Sequence, residues 1–397
     1  MLRLLHTADV HLGARHTDLG DRAVAQRERQ LAAFGASVDL ALAEKVDLFL
    51  IAGDLFDSNV QPRRTVDAAA AQLRRLVEAK IRTVIAPGTH DVYDGASIYR
   101  AYDLPALAGA VGSDLMTVLG PDRPDVHLPA LDVVVHGRCF ATKRAPRSPL
   151  EGFDAAHDNR ARWHVGVLHA AIAIPGQTDR DDVVITTDEI AASHLDYLAL
   201  GHWHSTTKGK AGGTVYAYSG APEAVAIDQD GSGNVLLVTL DTAGSKHQVQ
   251  IQERKVGRTR FERVEVDAAT ISTQPALVAA LAKRSDPDLV LDVRLVGVKP
   301  ELLDLDPDEV ESALGGRFLK LRVRDRSIAP LTDGTLPSAD TVLGAFIRDL
   351  EGRIAEMEAA GAAGSGGLSR SDGPDAGELR DALRLGRLLL AGEEVSL

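Results

Sequence analysis

One cysteine, Cys139, leaves no possible intrachain disulfide, so the chain is held by its cores and not by covalent staples. That usage fits a reducing compartment, and the expected location is cytoplasmic. No apolar run approaches the roughly 18 residues of a membrane helix. The opening MLRLLHTADVH does not read as a secretory signal, because its apolar part is a few residues long and runs straight into polar residues. Positive charge is also in short supply. The net charge is −13, with 23 basic and 30 acidic side chains in residues 1–240 and 21 and 27 in residues 241–397. Neither part is a basic module, which argues against a protein that simply coats nucleic acid. DNA binding would need local Arg/Lys patches, bound metals or a partner's surface. There is no internal repeat.

What remains is an ordinary globular composition, 45% hydrophobic and 25% charged. Its 397 residues are too many for one core, so two or three domains are expected. Apolar patterning predicts strands at 2–6, 48–52, 83–86, 133–136, 165–168, 197–200, 215–218 and 235–240, and helices over 22–45 and 64–80. Early helix–strand alternation followed by closely spaced strands predicts a layered α/β domain with a mixed sheet over residues 1–250. Residues 251–330 read as a small α+β domain. A helix over 338–359, a Gly/Ser/Ala-rich linker at 361–377 and a helix over 378–390 follow, making 338–397 a third segment.

Six residues spread over almost two hundred positions then stand out: Asp9 and His11 in ADVH, Asp54 in GDLFD, His169 in VGVLH, and His202 and His204 in GHWH. The Thr89-His90 pair of PGTHD joins them. Each stretch follows an apolar, β-prone run, so the groups are expected at strand ends. Asp9 and His11 are two apart and would point the same way in an extended segment. Gly53 and Gly201 would let the backbone turn sharply beside Asp54 and His202. A lone D-x-H says little, and a lone histidine in an apolar run is usually a hydrogen-bonded core residue. The weight lies in the ordered set. Carboxylates and imidazoles in this number suit two divalent ions about 4 Å apart, which lower the pKa of a water and neutralise charge on a phosphoryl group. Mixed Asp/His donors favour manganese, iron or zinc over magnesium. His6, His16, His127, His136, His157, His164, His194 and His247 lack such company and read as structural.

The ordered set D-x-H, GD-x-x-D, G-x-H-D, H, GH-x-H resembles the calcineurin-like metallophosphoesterase superfamily. LLHTADVHLG, VDLFLIAGDLFD and YSGAPEAVAIDQDGSGNVLLVTL look closer still to the SbcD-like DNA repair exonuclease subunits. The likeness covers about residues 1–245; beyond that it rests on domain order. It implies a layered α/β metallophosphoesterase domain with mixed β-sheets flanked by helices, a small α+β capping domain that contacts DNA, and C-terminal helices. It implies that Asp54 bridges two ions, Mn2+ first among candidates, with Asp9, His11 and His204 on one and His169, His202 and the Thr89 position on the other. His90 would touch the scissile phosphate, and Asp91 would orient His90; the role of Asp57 stays open. The pattern departs at Thr89, where the superfamily usually has asparagine. The implied partners are DNA, an SbcC-like coiled-coil ATPase docked on the helices after Ser338, and a second copy of the chain. Two alternatives stay open: a small-molecule phosphodiesterase or phosphatase, and a weakly active DNA-end scaffold. The C-terminal helices could equally pack on their own domain.

Overall fold

The computed structural model describes residues 1–176, 178, 183–225, 231–244, 246–300, 303–327, 338–362 and 376–390. In chain order they begin with β1 (Leu2–Thr7), α1 (Ala23–Glu44), β2 (Leu48–Ala52), α2 (Arg63–Glu78), β3 (Arg82–Ala86), α3 (Ile98–Ala101), α4 (Leu104–Leu107), β4 (Met116–Val118), β5 (Asp125–Leu128) and β6 (Val133–Gly137). Next come β7 (Trp163–His169), β8 (Ala171–Ile172), β9 (Val184–Ile185), α5 (Thr187–Ala192), β10 (Tyr197–Gly201), β11 (Thr207–Ala211), β12 (Thr214–Tyr218), β13 (Asn234–Ala243) and β14 (Lys246–Lys255). The chain continues with β15 (Arg260–Asp267), α6 (Gln274–Ala282), β16 (Asp286–Val296), α7 (Pro307–Leu314), β17 (Phe318–Asp325), α8 (Val342–Ala362) and α9 (Ala376–Leu390).

Two six-stranded sheets carry the first part, in the orders β14-β13-β1-β2-β3-β4 and β11-β12-β10-β7-β6-β5. Strands β1 to β4 are parallel, and β13 closes on β1 antiparallel. In the second sheet β6, β7, β10 and β12 are parallel, with antiparallel β5 and β11 at the edges. Both sheets are therefore mixed, and the architecture is layered α/β. The alternation of side chains builds the layers. Leu4, Leu50 and Val84 meet Val135, Val165 and Tyr197 between the sheets. One residue over, Leu5, Phe49 and Ile85 face Phe34 and Val38 of α1 and Leu73 and Leu76 of α2. All five residues of β2 are buried, which is why LFLIA is apolar throughout instead of alternating. Burying each such Leu or Phe contributes roughly 1.5–3 kcal/mol. On the outer face of the second sheet, Leu168, Leu198 and Leu200 pack with Leu150, Ile190 and Leu195.

Apolar patterning located the central strands to within three residues at either end. It missed β11, because TKGKA is polar on both faces; it is an edge strand held by its ladder to β12. Strand β14 pairs along its length with β13, so residue 250 falls inside a strand of the first sheet. Its side chains are largely exposed.

The chain divides into two compact units. One comprises Met1–Arg263, Ala282–Asp292 and Leu314–Arg322 and contains both six-stranded sheets. The other comprises Val264–Leu281, Val293–Ala313 and Val323–Leu397. Strands β15, β16 and β17 form a three-stranded sheet. In the second unit, α8 and α9 bury Leu350, Ile354 and Leu379 against each other, with Phe346 and Leu383 alongside. Of the linker expected at 361–377, residues 363–375 lie outside the described residues. Among the described residues no helix is long and apolar enough to cross a membrane.

Candidate metal centre

The strands β1, β2, β3, β7 and β10 end where the candidate ligands begin. Beyond β1 and β2 the two loops zip together through main-chain bonds: Asp9 N–H to Gly53 O at 3.1 Å, His11 N–H to Asp54 O at 2.9 Å and Leu12 N–H to Leu55 O at 3.0 Å. Four candidates adopt the left-handed region that non-glycine residues avoid: Asp9 (φ 53°), His11 (φ 49°), Asp54 (φ 52°) and His202 (φ 107°). Asp9 and His11 are thus not in an extended segment; each is turned by its own strained backbone. Such strain persists where the surroundings over-determine it, and it clusters at functional sites. Gly53 does turn in the left-handed region, at φ 88°, and a Cβ there would lie 2.2 Å from the His169 ring. Gly201 is needed for a different reason from the expected turn: its Cβ would lie 1.9 Å from the Ala52 carbonyl oxygen.

Two groups of buried and part-buried donors share Asp9. Asp9, Asp54 and His169 bring three ligand atoms within 4.8 Å of one another, and so do Asp9, His11 and His204. Asp9 belongs to both groups, and Asp54 reaches both: its Oδ2 lies 3.1 Å from His169 Nε2 and 3.7 Å from His11 Nε2. The tautomers are set from behind. His169 Nδ1 donates to the Ala52 carbonyl at 3.0 Å, leaving Nε2 toward Asp54. His11 Nδ1 meets Asp57 Oδ1 at 3.2 Å, leaving Nε2 toward His204 Nε2, 3.3 Å away. Ligating imidazoles are oriented in this way by an acceptor on the far nitrogen. His202 reaches the cluster mainly through its backbone. Its N–H donates to both Asp9 oxygens, at 3.0 and 3.1 Å, and its ring stands edge-on to His169 with centroids 5.4 Å apart.

The PGTHD loop closes one side. The His90 N–H donates to Asp54 Oδ1 at 2.8 Å, and the half-exposed His90 ring places Nδ1 2.9 Å from the Asp57 carbonyl oxygen. That carbonyl can only accept, so the proton sits on Nδ1 and Nε2 is left free. Asp91 does not touch the His90 ring. Its buried carboxylate accepts from Gly88 N–H (2.7 Å), Phe56 N–H (3.1 Å) and Tyr99 O–H (2.6 Å), and so fixes the loop backbone. Thr89 is nearly buried in the same loop. Asp57 gains a definite part, since its side chain orients His11 and its carbonyl orients His90. Tyr99 carries no sequence signal. Its link to Asp91 exists only in the fold.

The donors demand positive charge. Burial, with Asp54 adding to it, pushes the Asp9 carboxyl up to about 7 against the pull of His169. Burial disfavours a charged His169, yet Asp54 and Asp9 draw it up to about 10. Asp54 is held well below the usual carboxylate range, its burial outweighed by His169 and His11. Burial also opposes a charged His11, which the Asp57 bond and the neighbouring carboxylates nevertheless raise. Divalent cations meet this demand better than protons do, and two carboxylates with three or four imidazoles match the donor preference of transition ions. The residues present therefore fit a divalent metal centre.

The structure also assembles a group that the sequence left as unrelated core histidines. His136, His164 and Asp158 place three ligand atoms within 4.8 Å of one another.

The calcineurin-like phosphoesterase model matches residues 2–206 of this chain. The DNA double-strand break repair protein Mre11 of Aeropyrum pernix is 31% identical over 285 residues, 67% of this chain and 64% of that protein. The chain thus spans somewhat less than two thirds of that relative. The uncharacterized metallophosphoesterase YhaO of Bacillus subtilis is 24% identical over 88% of this chain and 87% of its own length. Mre11 of Halobacterium salinarum is 25% identical over 88% of this chain and 86% of its own. With a family match over more than half its length and buried carboxylates and imidazoles gathered where that match lies, the chain belongs to the calcineurin-like phosphoesterase family, hydrolases of phosphoester bonds.

Proposed function

We propose that this chain is a manganese-dependent DNA exo/endonuclease of double-strand-break repair, working with an SbcC-like coiled-coil ATPase. The observation that carries the reading is the convergence of two donor groups on the carboxylates Asp9 and Asp54, with Asp54 Oδ2 facing His169 of one group and His11 of the other. The relatives named as double-strand break repair proteins support the substrate class. In this reading Asp9, His11 and His204 would hold one ion and His169 and His202 the other, with Asp54, placed between the two groups, available to both. Bound there, the two ions supply an activated water and offset charge on the phosphoryl oxygens. The chain's own groups do the rest. His90 presents its free Nε2 to the scissile phosphate, Asp57 keeps that ring and His11 in register, and Asp91 with Tyr99 fixes the loop that carries it.

The test is incubation with manganese and three substrates: a labelled linear duplex, a labelled single strand and a small chromogenic diester. Shortening of DNA supports the reading. Cleavage of the small diester alone points to a small-molecule phosphodiesterase, and DNA binding without any cleavage to an end-binding scaffold. EDTA should silence every hydrolysis.

Thr89 gives the second ion a neutral hydroxyl of short reach where the superfamily usually offers an amide oxygen. Thr89→Asn is expected to lower the manganese concentration giving half-maximal rate. An equal or higher requirement in the variant would contradict this account of the loop.

Residues 251–330 serve in this proposal as the cap that contacts DNA, and the α8–α9 pair as the ATPase docking element. Val342 and Met357 remain exposed on α8 after its packing with α9, which leaves apolar surface for a partner. Deleting the residues after Gly361 should abolish co-purification with the ATPase while leaving diester hydrolysis intact; retained co-purification would remove this part of the proposal.

A further inference from the structure

His136 and His164 sit on neighbouring parallel strands, β6 and β7, with His136 opposite Gly166 in the register and His164 two residues earlier. Both therefore project from the outer face of the second sheet, among an apolar layer formed by Leu168, Leu198 and Leu150. His136 is buried. Its Nε2 lies 3.1 Å from His164 Nδ1 and 3.9 Å from Asp158 Oδ2. Two imidazole nitrogens bound tetrahedrally at the usual zinc distance stand about 3.3 Å apart, so the pair is already spaced for one ion. We propose that His136, His164 and Asp158 form a separate transition-metal site, zinc by its donor chemistry, that clamps the 138–162 connection onto the second sheet.

Three further observations support it. Asp125 Oδ1 lies 3.3 Å from His136 Nδ1, a carboxylate–histidine pairing that puts the proton on Nδ1 and aims the Nε2 lone pair at His164 and Asp158. The His164 main-chain N–H donates to Asp196 Oδ2 at 2.8 Å, which fixes the stretch of β7 that carries the ring. Two imidazoles and one carboxylate leave a four-coordinate ion one position for solvent, a donor set zinc accepts readily. The site is not an extension of the Asp9–Asp54 centre. His164 and His169 are five residues apart on one strand, about 17 Å at roughly 3.3 Å per residue.

The ligands come from two strands and from the connection between them, which defines what the ion does. Asp158 lies in the long connection from β6 to β7, and an ion held by both sheet histidines would tie that excursion down. Two local groups work against binding: Arg138 Nη1 bonds the Asp125 Oδ1 behind His136 at 3.0 Å, and Arg160 sits on Asp158 itself. Arg160 holds the same carboxylate, with Nη2 2.6 Å from Asp158 Oδ2 and Nε 2.9 Å from Oδ1. Arg160 is about half exposed, so it can swing into solvent, but its charge lowers the affinity of the site for a cation.

The test is equilibrium dialysis of the full chain against Zn2+ with metal counted per chain. His164→Asn should bind one ion fewer than the wild type, and Arg160→Ala should hold that ion at least tenfold more tightly. Wild-type chains saturated with zinc should resist proteolysis within 138–162, and His164→Asn chains should not. Because the readout is a difference between chains, it does not depend on how many ions the Asp9–Asp54 centre holds. Manganese-dependent diester hydrolysis should be unchanged in both variants. Equal zinc counts in wild type and His164→Asn, or an affinity indifferent to Arg160, would show that the two histidines merely share a hydrogen bond. Should His164→Asn fail to fold, Asp158→Asn in the connection gives the same count, with the same two outcomes.

Discussion

Asp54→Asn is expected to reduce manganese-dependent phosphodiester hydrolysis by on the order of 10³ or more and to remove the stabilisation that manganese gives the folded chain. The reason lies in where the carboxylate sits. Asp54 Oδ2 faces His169 on one side and His11 on the other, while Oδ1 takes the His90 main-chain N–H. In the proposed reading it would serve both ions, since its Oδ2 stands between a histidine of each group. An asparagine keeps the shape and offers a neutral oxygen, so it tests charge and not packing. Losing several kcal/mol of charge stabilisation at about 1.4 kcal/mol per tenfold gives the stated factor. A ligand present at about 100 times its dissociation constant stabilises a fold by roughly 2.7 kcal/mol, and that increment should vanish from melting curves of the variant.

The same substitution has a consequence without metal. His169 is drawn up to about 10 chiefly by Asp54 in the face of its burial, and Asp54 is held below the usual carboxylate range chiefly by His169. A depressed carboxylate contributes stability above its unfolded pKa and loses it as pH falls through the folded value. A raised histidine contributes fully below its unfolded pKa and loses it as pH rises toward 10. The pair therefore stabilises the fold across neutral pH. Breaking a buried pair from one side costs about 3–5 kcal/mol. In EDTA at pH 6–7 Asp54→Asn should melt below the wild type, with the gap narrowing toward pH 10. Manganese-dependent activity within tenfold of the wild type, or an unchanged melting shift on adding manganese, would show that Asp54 is not shared between ions.

The cluster was legible in the sequence because each ligand follows an apolar strand, and the strand pattern is a strong, local signal. Asp54 after LFLIA and His169 closing WHVGVLH could be placed at strand ends from the apolar runs alone. How those ends converge could not. Asp9 and His11 meet their partners through left-handed backbone, a conformation that nothing in ADVH announces. Gly201 looked like a turn residue and proved to be a contact residue, because the Ala52 carbonyl that excludes a Cβ comes from the other sheet. The reach of Asp91 to Tyr99 and the pairing of His136 with His164 are likewise facts of register and loop path. Single-sequence periodicity carries no information about which strand lies beside which.

His90→Ala should lower kcat by about 10²–10⁴ while leaving the manganese requirement nearly unchanged. His90 contacts Asp54 through its main-chain N–H, which alanine retains, so the two groups that share Asp9 keep all their donors. Its side chain is 46% exposed, so truncation costs little stability. What is removed is a ring held by the Asp57 carbonyl on Nδ1, with Nε2 turned free, beside His11 at a centroid distance of 4.7 Å. Once Nε2 also carries a proton, a ring so placed can contact a phosphate oxygen and pass that proton to the departing oxygen, keeping the Nδ1 proton on the Asp57 carbonyl. The leaving group separates those roles. If His90 donates a proton to an alkoxide, the loss should be large on DNA and much smaller on a chromogenic diester whose phenolate leaves without one. If it only neutralises charge on the phosphoryl oxygens, both substrates should suffer alike, and His90→Lys should restore part of the rate. A kcat within threefold of wild type on both substrates, or a loss erased by excess manganese, would leave His90 with neither role.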